Sequence, residues 1–496
     1  MSKYPTVLFF RYDKYNFIDT FLFNSRDKIN CDIKIIDKKD GLINLFDPNY
    51  MILTTFGPDE KEYHKDVFEV IAGRMTSRWI HYKEITDSVE FSRGVNFCFI
   101  NNIISDRVQS RPTFSVFTTC YNSYEKIKRP LNSLLNQTLI DWEWVILDDS
   151  PDDKHFSFLK QLFNGNKKIR LYKRSENSGN IGNVKNEAVS LCRGKYVLEL
   201  DHDDDIIPSL LKTATDAFEK YPEAGFAYTD FINLYETGEN YWYGDFFALG
   251  YGGYYNTKYN GKWVNVYTTP QVNNITLSHL VSLPNHARMW RRTTLMELGN
   301  YSEFLPINDD QEILMRTCMG TKMIKIPIMG YVQYMNHGNN NFSLIRNSEI
   351  NRIGPLHLVP QYYSKYNVHQ KMKEMGAYDD EKYMIHRERV WLRDDFVPQY
   401  WNHIYQPDFD LQICIVGRNV FQAKLDDIKT LYMNPRIDFF LIDDSGDRDG
   451  LCKFLDNQGF GRMRCYTIKD LTKDQMIKYF NYIFKTAANS VVFDSV

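Results

Sequence analysis

No two cysteines in this sequence are spaced as CxxC, and the eight that occur, Cys31, Cys98, Cys120, Cys192, Cys318, Cys414, Cys452 and Cys465, are scattered along 496 residues. That spacing excludes a zinc ribbon and predicts buried thiols in a reducing compartment. Basic residues are not in excess. The net charge is -3 and no long block of Lys or Arg occurs, so nucleic acid is not an expected partner. Long apolar runs are missing as well: the N-terminus offers only Val7-Leu8-Phe9-Phe10 before Arg11, too short for a signal-peptide core. No later window supplies the about 18 uncharged apolar residues of a spanning helix, so a cytoplasmic protein without a transmembrane segment is expected.

Hydrophobic residues make up 43% and charged residues 25%, enough apolar material for a core in each of roughly three domains. In the first hundred residues, Thr6–Phe10, Asp32–Ile36, Tyr50–Thr54 and Trp79–Tyr82 read as strands and Asp66–Met75 as a helix, which suggests a small parallel α/β domain over 1–110 with no phosphate loop. Ser105–Pro112 reads as a linker. From Phe114 strand and helix alternate quickly: Ser115–Thr119, Trp144–Leu147, Ile169–Tyr172 and Tyr196–Leu200 are strands, Lys126–Leu135 and Asn183–Leu191 helices. This is a doubly wound, Rossmann-like pattern, in which ligands bind beyond the carboxyl ends of the strands. Tyr235–Thr276, aromatic and weakly periodic, reads as a substrate loop or lid. A mostly helical bridge occupies 346–408 and a further α/β domain 409–496. The latter echoes the central domain. Asn419, Asp443 and Asp494 stand 297, 295 and 293 residues after Asn122, Asp148 and Asp201, the spacing of an internal repeat whose second copy stops where its acidic run would begin and would be inert as it stands.

Three polar strand ends follow one another: Thr119-Cys120-Tyr121-Asn122, Asp148-Asp149-Ser150 and Asp201-His202-Asp203-Asp204-Asp205. Carboxylates about 4 Å apart repel by roughly 4 kcal/mol at an effective dielectric of 20, so such a run either faces water or holds a cation. Oxygen ligands of this kind suit Mn²⁺ or Mg²⁺. An acidic cap on the helix near Pro208 is the alternative for the run, and a turn is the alternative for Asp148-Asp149-Ser150. His202 is expected to alternate away from its neighbours.

Over about 113–343 the sequence resembles the family 2 glycosyltransferases. The resemblance rests on Phe114 to Asn122, Leu134-Leu135-Asn136-Gln137-Thr138, Trp142 to Ser150, Asn177-Ser178-Gly179 through Lys185-Asn186, and Leu200 to Asp204. It implies a central GT-A catalytic domain over 111–345, flanked by smaller α/β domains, that uses a nucleotide-sugar donor. It further implies that Thr119 and Tyr121 line the nucleotide base, that Asp149 accepts the base N3–H, and that Asp201 contacts the ribose. Asp203 would bind the Mn²⁺ or Mg²⁺ on the diphosphate. An N3–H fits uracil, which favours a UDP-sugar. Lys185 stands where the family often has Arg and would contact the phosphate or base; a solvated helix lysine is the plainer account of it.

Downstream, Asn308-Asp309-Asp310-Gln311-Glu312 to Arg316 resembles the family's acceptor segment. Asp310 matches the general base of an inverting transfer, with Asp309 as its partner; capping of the helix by both acids is the alternative. His337, in Tyr334-Met335-Asn336-His337-Gly338, resembles a histidine that reaches the metal or diphosphate in some members, and a structural histidine is the alternative. His286 is a candidate lining residue for the acceptor. The expected function is inverting, metal-dependent transfer from a nucleotide sugar to a hydroxyl on a glycan, lipid-linked or protein acceptor. The rivals are a metal-dependent sugar-nucleotide hydrolase or nucleotidyltransferase and a non-catalytic sugar-binding scaffold.

Overall fold

A computed structural model describes residues 6–25, 32–45, 51–71, 78–99, 111–244, 247–335, 346–354, 356, 359–380, 389–395, 403–407, 409–484 and 490–495. The chain divides into two compact units. The first comprises 1–122, 141–197 and 291–309; the second comprises 123–140, 198–290 and 310–496.

The first unit holds a small sheet with strand order β2-β1-β3-β4, formed by β1 (Thr6–Phe10), β2 (Asp32–Ile36), β3 (Met51–Phe56) and β4 (Trp79–Tyr82). All three pairings are parallel. Val7, Leu8, Phe9, Ile52 and Leu53 are buried between the helices that cross over it, as apolar runs in a sheet covered on both faces should be. The helix expected at Asp66–Met75 starts earlier, at Lys61, and is described to Ile71. The expected linker falls largely outside the described residues.

The same unit carries β5 (Phe114–Cys120), β6 (Trp142–Asp148) and β7 (Ile169–Lys173), parallel and adjacent, with the start of β8 (Tyr196–Glu199) beside β5. The Rossmann-like α/β class expected from the sequence is therefore present. Every residue of β6 is buried, including Glu143. Its carboxylate accepts from Ser115 Oγ at 2.6 Å, from Arg193 N at 2.8 Å and from Arg193 Nη2 at 2.6 Å, with Arg170 Nη1 at 3.3 Å. Burial pushes this carboxyl up, but the two guanidinium groups and the hydroxyl outweigh it and hold it below the ordinary range.

In the second unit two long strands, β10 (Ala224–Tyr235) and β15 (Lys322–Met335), run parallel from Ala224 opposite Lys322 to Tyr235 opposite Met335. The short β9 (Asp205–Ile206) pairs with β15, and β11 (Asn240–Tyr241) with β10. The segment read as a substrate loop or lid contains a hairpin: β12 (Gly253–Tyr259) and β13 (Lys262–Thr268) are antiparallel, with Tyr254, Tyr255, Val264, Val266 and Tyr267 buried. Its turn is Asn260-Gly261, both at positive φ (48° and 78°), the backbone that a two-residue hairpin with right-handed twist demands. β14 (Arg288–Arg291) flanks β10. The bridge contributes helices at Asn347–Ile353, Val359–Tyr366 and Val368–Glu374.

The C-terminal strands β17 (Leu411–Val416), β18 (Ile437–Asp443), β19 (Arg464–Thr467) and β20 (Ser490–Phe493) follow the two-residue β16 (His403–Ile404) and have the order β20-β17-β18-β19. This is the order of β8-β5-β6-β7. The likeness extends to the turns: Ser445 donates N–H and O–H to Asp443 Oδ1 as Ser150 does to Asp148 Oδ1, and Asp447 and Asp152 cap the helices that follow. After β17, Arg418 pairs its guanidinium with Asp443 and reaches Ser445 Oγ. No helix among the described residues is long and apolar enough to cross a membrane.

Removing the Glu143 carboxylate leaves two guanidinium groups with their buried partner gone. Glu143→Ala is expected to cost about 3–5 kcal/mol, read as a lower denaturation midpoint in urea at unchanged slope.

Candidate functional site

Within the first unit, β5 and β6 end side by side, and the chain leaves them through a tight turn. Asn122 takes positive φ (48°), and its N–H donates to Ser150 Oγ at 2.9 Å. Ser150 Oγ in turn donates to Asp148 Oδ1 at 2.6 Å, and His155 Nδ1 lies 2.8 Å from the same oxygen. Burial pushes Asp148 up, but the hydrogen bonds from His155 and Ser150 prevail and keep it below the ordinary carboxylate range. Asp148 is thus a fixed structural anion that holds the turn. Thr119 is half-buried, whereas the Tyr121 ring is 52% exposed beyond the strand end, a face on which a planar base can stack.

Asp149, the next residue, is buried and turned toward the loop 174–178. Its carboxylate accepts from Ser178 N (3.0 Å), Ser178 Oγ (3.0 Å) and Asn177 Nδ2 (3.0 Å), with Arg174 Nε 3.5 Å away. Burial pushes this carboxyl up against the pull of Ser178 and Arg174. The resemblance had singled out Asn177-Ser178-Gly179 as a motif without giving it a task; its task here is to orient Asp149.

Lys185 does not sit in solvent. It is 8% exposed on the helix Ile181–Ser190, and its Nζ pairs with Asp309 Oδ2 at 2.8 Å. The account of it as a solvated helix lysine is therefore wrong. The reason is the close approach of that helix to the segment 302–309: a Cβ on Gly182 would meet Ser302 O at 2.2 Å and Leu305 O at 2.9 Å. Glycine lets the backbones meet, and Lys185 one turn later reaches the acid. Asp309, itself buried, is accordingly an ion-pair partner of Lys185.

In the second unit the acidic run turns largely inward. Asp203 is 8% and Asp204 2% exposed. Asp204 accepts from Tyr331 Oη at 2.9 Å and from the Tyr334 N–H at 2.8 Å, so it pins the run to β15. Burial first, then the charges of Asp203 and Asp201, push its carboxyl far above the ordinary range. Asp205 is raised to about 6 by burial, against Arg129 and the Tyr334 hydroxyl. Asp201 is half-buried, and its N–H donates to Tyr331 Oη at 3.2 Å. His202 Nε2 lies 3.9 Å from Asp203 Oδ2. Arg129 holds the run from the other side, donating to the Asp203 carbonyl, pairing with Glu236 at 2.6 Å and lying 3.5 Å over the Tyr334 ring. His286, offered as an acceptor-lining residue, is buried and stacks on Tyr331 at 4.2 Å.

Asp310 is the second residue of the helix Asp309–Gly320, with its side chain 23% exposed. Its Oδ2 accepts from Ser282 Oγ at 2.6 Å and from Arg288 Nη2 at 3.0 Å, and its Oδ1 accepts from the Gln311 N–H at 2.7 Å. Arg288 also donates to Glu199 Oε2 at 2.9 Å and to the Asn285 carbonyl. Neither Arg288 nor Ser282 stood out in the sequence, since a single Arg or Ser outside any periodic pattern carries no signal of its partner.

Among the described residues no group of three or more His, Cys, Asp or Glu is arranged to hold a metal ion, and His337 lies outside them. Asp203 offers hard oxygen donors of the kind Mg²⁺ and Mn²⁺ take, but the shell of such an ion needs further oxygens, which a diphosphate would bring.

Residues 115–299 match the family model described as Glycosyl transferase family 2. The chain carries a domain of that family, which groups inverting glycosyltransferases of GT-A type. Among curated relatives, a chondroitin synthase of Escherichia coli is 33% identical over 127 residues, 26% of this chain and 18% of that protein. A poly(ribitol-phosphate) beta-glucosyltransferase of Bacillus spizizenii is 34% identical over 94 residues, 18% of this chain and 15% of that protein. The matched parts are therefore less than a fifth of these relatives. The solved structure of S. aureus TarS 1-349 in complex with UDP-GlcNAc aligns at a TM-score of 0.37 and 18% identity, over 53% of this chain and 73% of that one.

With Lys185 changed to Met, Asp309 keeps its charge without its cation. A loss of about 3–5 kcal/mol in unfolding free energy is expected, and Lys185→Met/Asp309→Asn should recover part of it in a double-mutant cycle.

Proposed function

We propose that this chain transfers a sugar from a UDP-sugar to a hydroxyl on a glycan or glycoconjugate, with inversion at the anomeric carbon. The observation that carries this is the division of labour between two neighbouring acids. Asp309 is tied to Lys185, whereas Asp310 is partly exposed and held at a helix start by Ser282 and Arg288. A carboxylate that is oriented and reachable is what an inverting transfer requires of its base.

In this mechanism Asp310 takes the proton of the acceptor hydroxyl as its oxygen attacks the anomeric carbon. The new carbon–oxygen bond forms opposite the one that breaks, and the electron pair of the broken bond leaves with UDP. Thr119 and the exposed Tyr121 ring receive the base, Asp149 accepts its N3–H in exchange for one of the donors it now holds, and Asp201 contacts the ribose. Asp203 is the ligand for a Mn²⁺ or Mg²⁺, with His337 as a further candidate; when bound, the ion neutralises charge developing on the diphosphate. Lys185 is engaged with Asp309 and keeps that acid's charge matched. The relatives named as chondroitin synthase and poly(ribitol-phosphate) beta-glucosyltransferase are in keeping with a hydroxylated polymer as acceptor, and lipid-linked or protein-bound glycans belong to the same class. The catalytic module would span 111–345, with 1–110 and 409–496 as accessory α/β modules, the latter a partial repeat, and 346–408 as the bridge. The described cysteines are buried thiols, which accords with a cytoplasmic setting.

Asp310→Asn should lower transfer by about 10² to 10⁴ while UDP still binds by calorimetry, and the product should carry the inverted anomer by NMR. Retained configuration, or an active Asp310→Asn, would overturn the mechanism.

A further inference from the structure

Asp310 does not hold its position by helix geometry alone. Arg288, at the first position of β14, directs one Nη to Glu199 at the end of β8 and the other to Asp310, while its Nε is fixed on the Asn285 carbonyl. The guanidinium is 7% exposed and Glu199 6%, so the Arg288–Glu199 arm of this bridge lies out of water, where charge-assisted hydrogen bonds are strong and costly to break. Ser282 adds a hydroxyl to the same Asp310 oxygen, and Gln311 locks Ser282 in turn by accepting its backbone N–H. Two donors, one of them cationic, therefore converge on Oδ2. Oδ1 takes the backbone N–H of Gln311. The two oxygens of this carboxylate are not equivalent.

We infer that Arg288 and Ser282 are positioning residues that make Oδ1 of Asp310 the oxygen that accepts the acceptor's proton, with Glu199 as the strand-end anchor for Arg288; the inference rests on Asp310 being the base. A guanidinium planted between two carboxylates fixes the separation and tilt of both, because its planar fork has defined donor directions. The cation also withdraws negative charge from Oδ2, so the proton is drawn to Oδ1. Among the described residues of its unit, Arg288 links Asp310 to Glu199, and on the helix that carries Asp310 the Glu312 carboxylate is paired with Arg316. Of these, Arg288 is the cation bonded to it.

The test follows UDP release from UDP-glucose, UDP-N-acetylglucosamine, UDP-N-acetylgalactosamine and UDP-glucuronate, carrying the fastest donor forward in full-length Arg288→Met, Arg288→Lys, Ser282→Ala and Asp310→Asn. Arg288→Met should lower turnover about 100-fold with donor KM and UDP affinity within about twofold, the mark of an effect confined to the reacting geometry. Losing the cation makes Asp310 easier to protonate, so the acidic limb of the pH–rate profile moves to higher pH. Arg288→Lys should recover about tenfold and return the limb toward wild type; Ser282→Ala should cost about tenfold and move the limb in the same direction as Arg288→Met. If Arg288→Met fails to fold, the Lys and Ala variants decide. Equal losses in the Met and Lys variants with a stationary limb would mean a merely structural bridge, and wild-type turnover in Arg288→Met would overturn the inference outright. An inert Asp310→Asn beside a normal Arg288→Met refutes only the positioning role, whereas an active Asp310→Asn removes the base on which it rests.

Discussion

A carboxylate withdrawn from water must be matched by a cation or by several N–H and O–H donors, and around its acidic motifs this chain withdraws many of them. Asp148, Asp149, Asp203, Asp204, Glu199 and Asp309 are all buried. Five of them show their own solutions: a histidine and a serine for Asp148, the 177–178 loop for Asp149, two tyrosines of β15 for Asp204, a lysine for Asp309, an arginine shared with Asp310 for Glu199. The partners chosen fix which acid is structural and which stays available. Of the adjacent pair Asp309 and Asp310, one faces a lysine and the other a guanidinium fork that it shares.

The strand ends were legible because they combine two local signals, an apolar run and the polar cluster that stops it. β5, β6, β7 and β8 lie within a residue or two of where alternation and composition put them, and the three polar motifs fall at the ends of β5, β6 and β8. What was not legible is pairing at a distance. Lys185 and Asp309 are 124 residues apart, and nothing in the amphipathic spacing of Ile181–Ser190 distinguishes a lysine facing water from one facing a carboxylate. Gly182 was the available hint, since a glycine near a helix start often marks a close backbone approach. The stretch Tyr235–Thr276 hid its hairpin for another reason: its tyrosines break simple alternation, and both faces of the hairpin are substantially buried, so period-two patterning vanishes. The Asn260-Gly261 pair between two aromatic runs was the turn signal that could have found it.

The second occurrence of the β8-β5-β6-β7 order, in the C-terminal strands, keeps the scaffold and changes the mouth. Asp443, Ser445 and Asp447 repeat the turn chemistry of Asp148, Ser150 and Asp152, so the backbone is held in the same way. Arg418 then lays its guanidinium across that turn, whereas the turn after β5 extends an open tyrosine ring. Conserving the fold of such a strand end and keeping it open to a ligand are separable: the first needs the serine and the aspartates, the second needs the absence of a cation long enough to reach them.

Gly182 shows how narrow the margin is where the helix Ile181–Ser190 meets the segment 302–309. The space for a side chain there is already filled by the carbonyl of Ser302, so the two backbones are separated by hydrogen atoms alone. Any descendant of this sequence can vary the surface of the helix freely, but at this position it has one admissible residue unless the facing loop changes in the same lineage. Covariation between position 182 and positions 302 to 305, rather than at the acids themselves, is therefore where the history of this contact would be recorded.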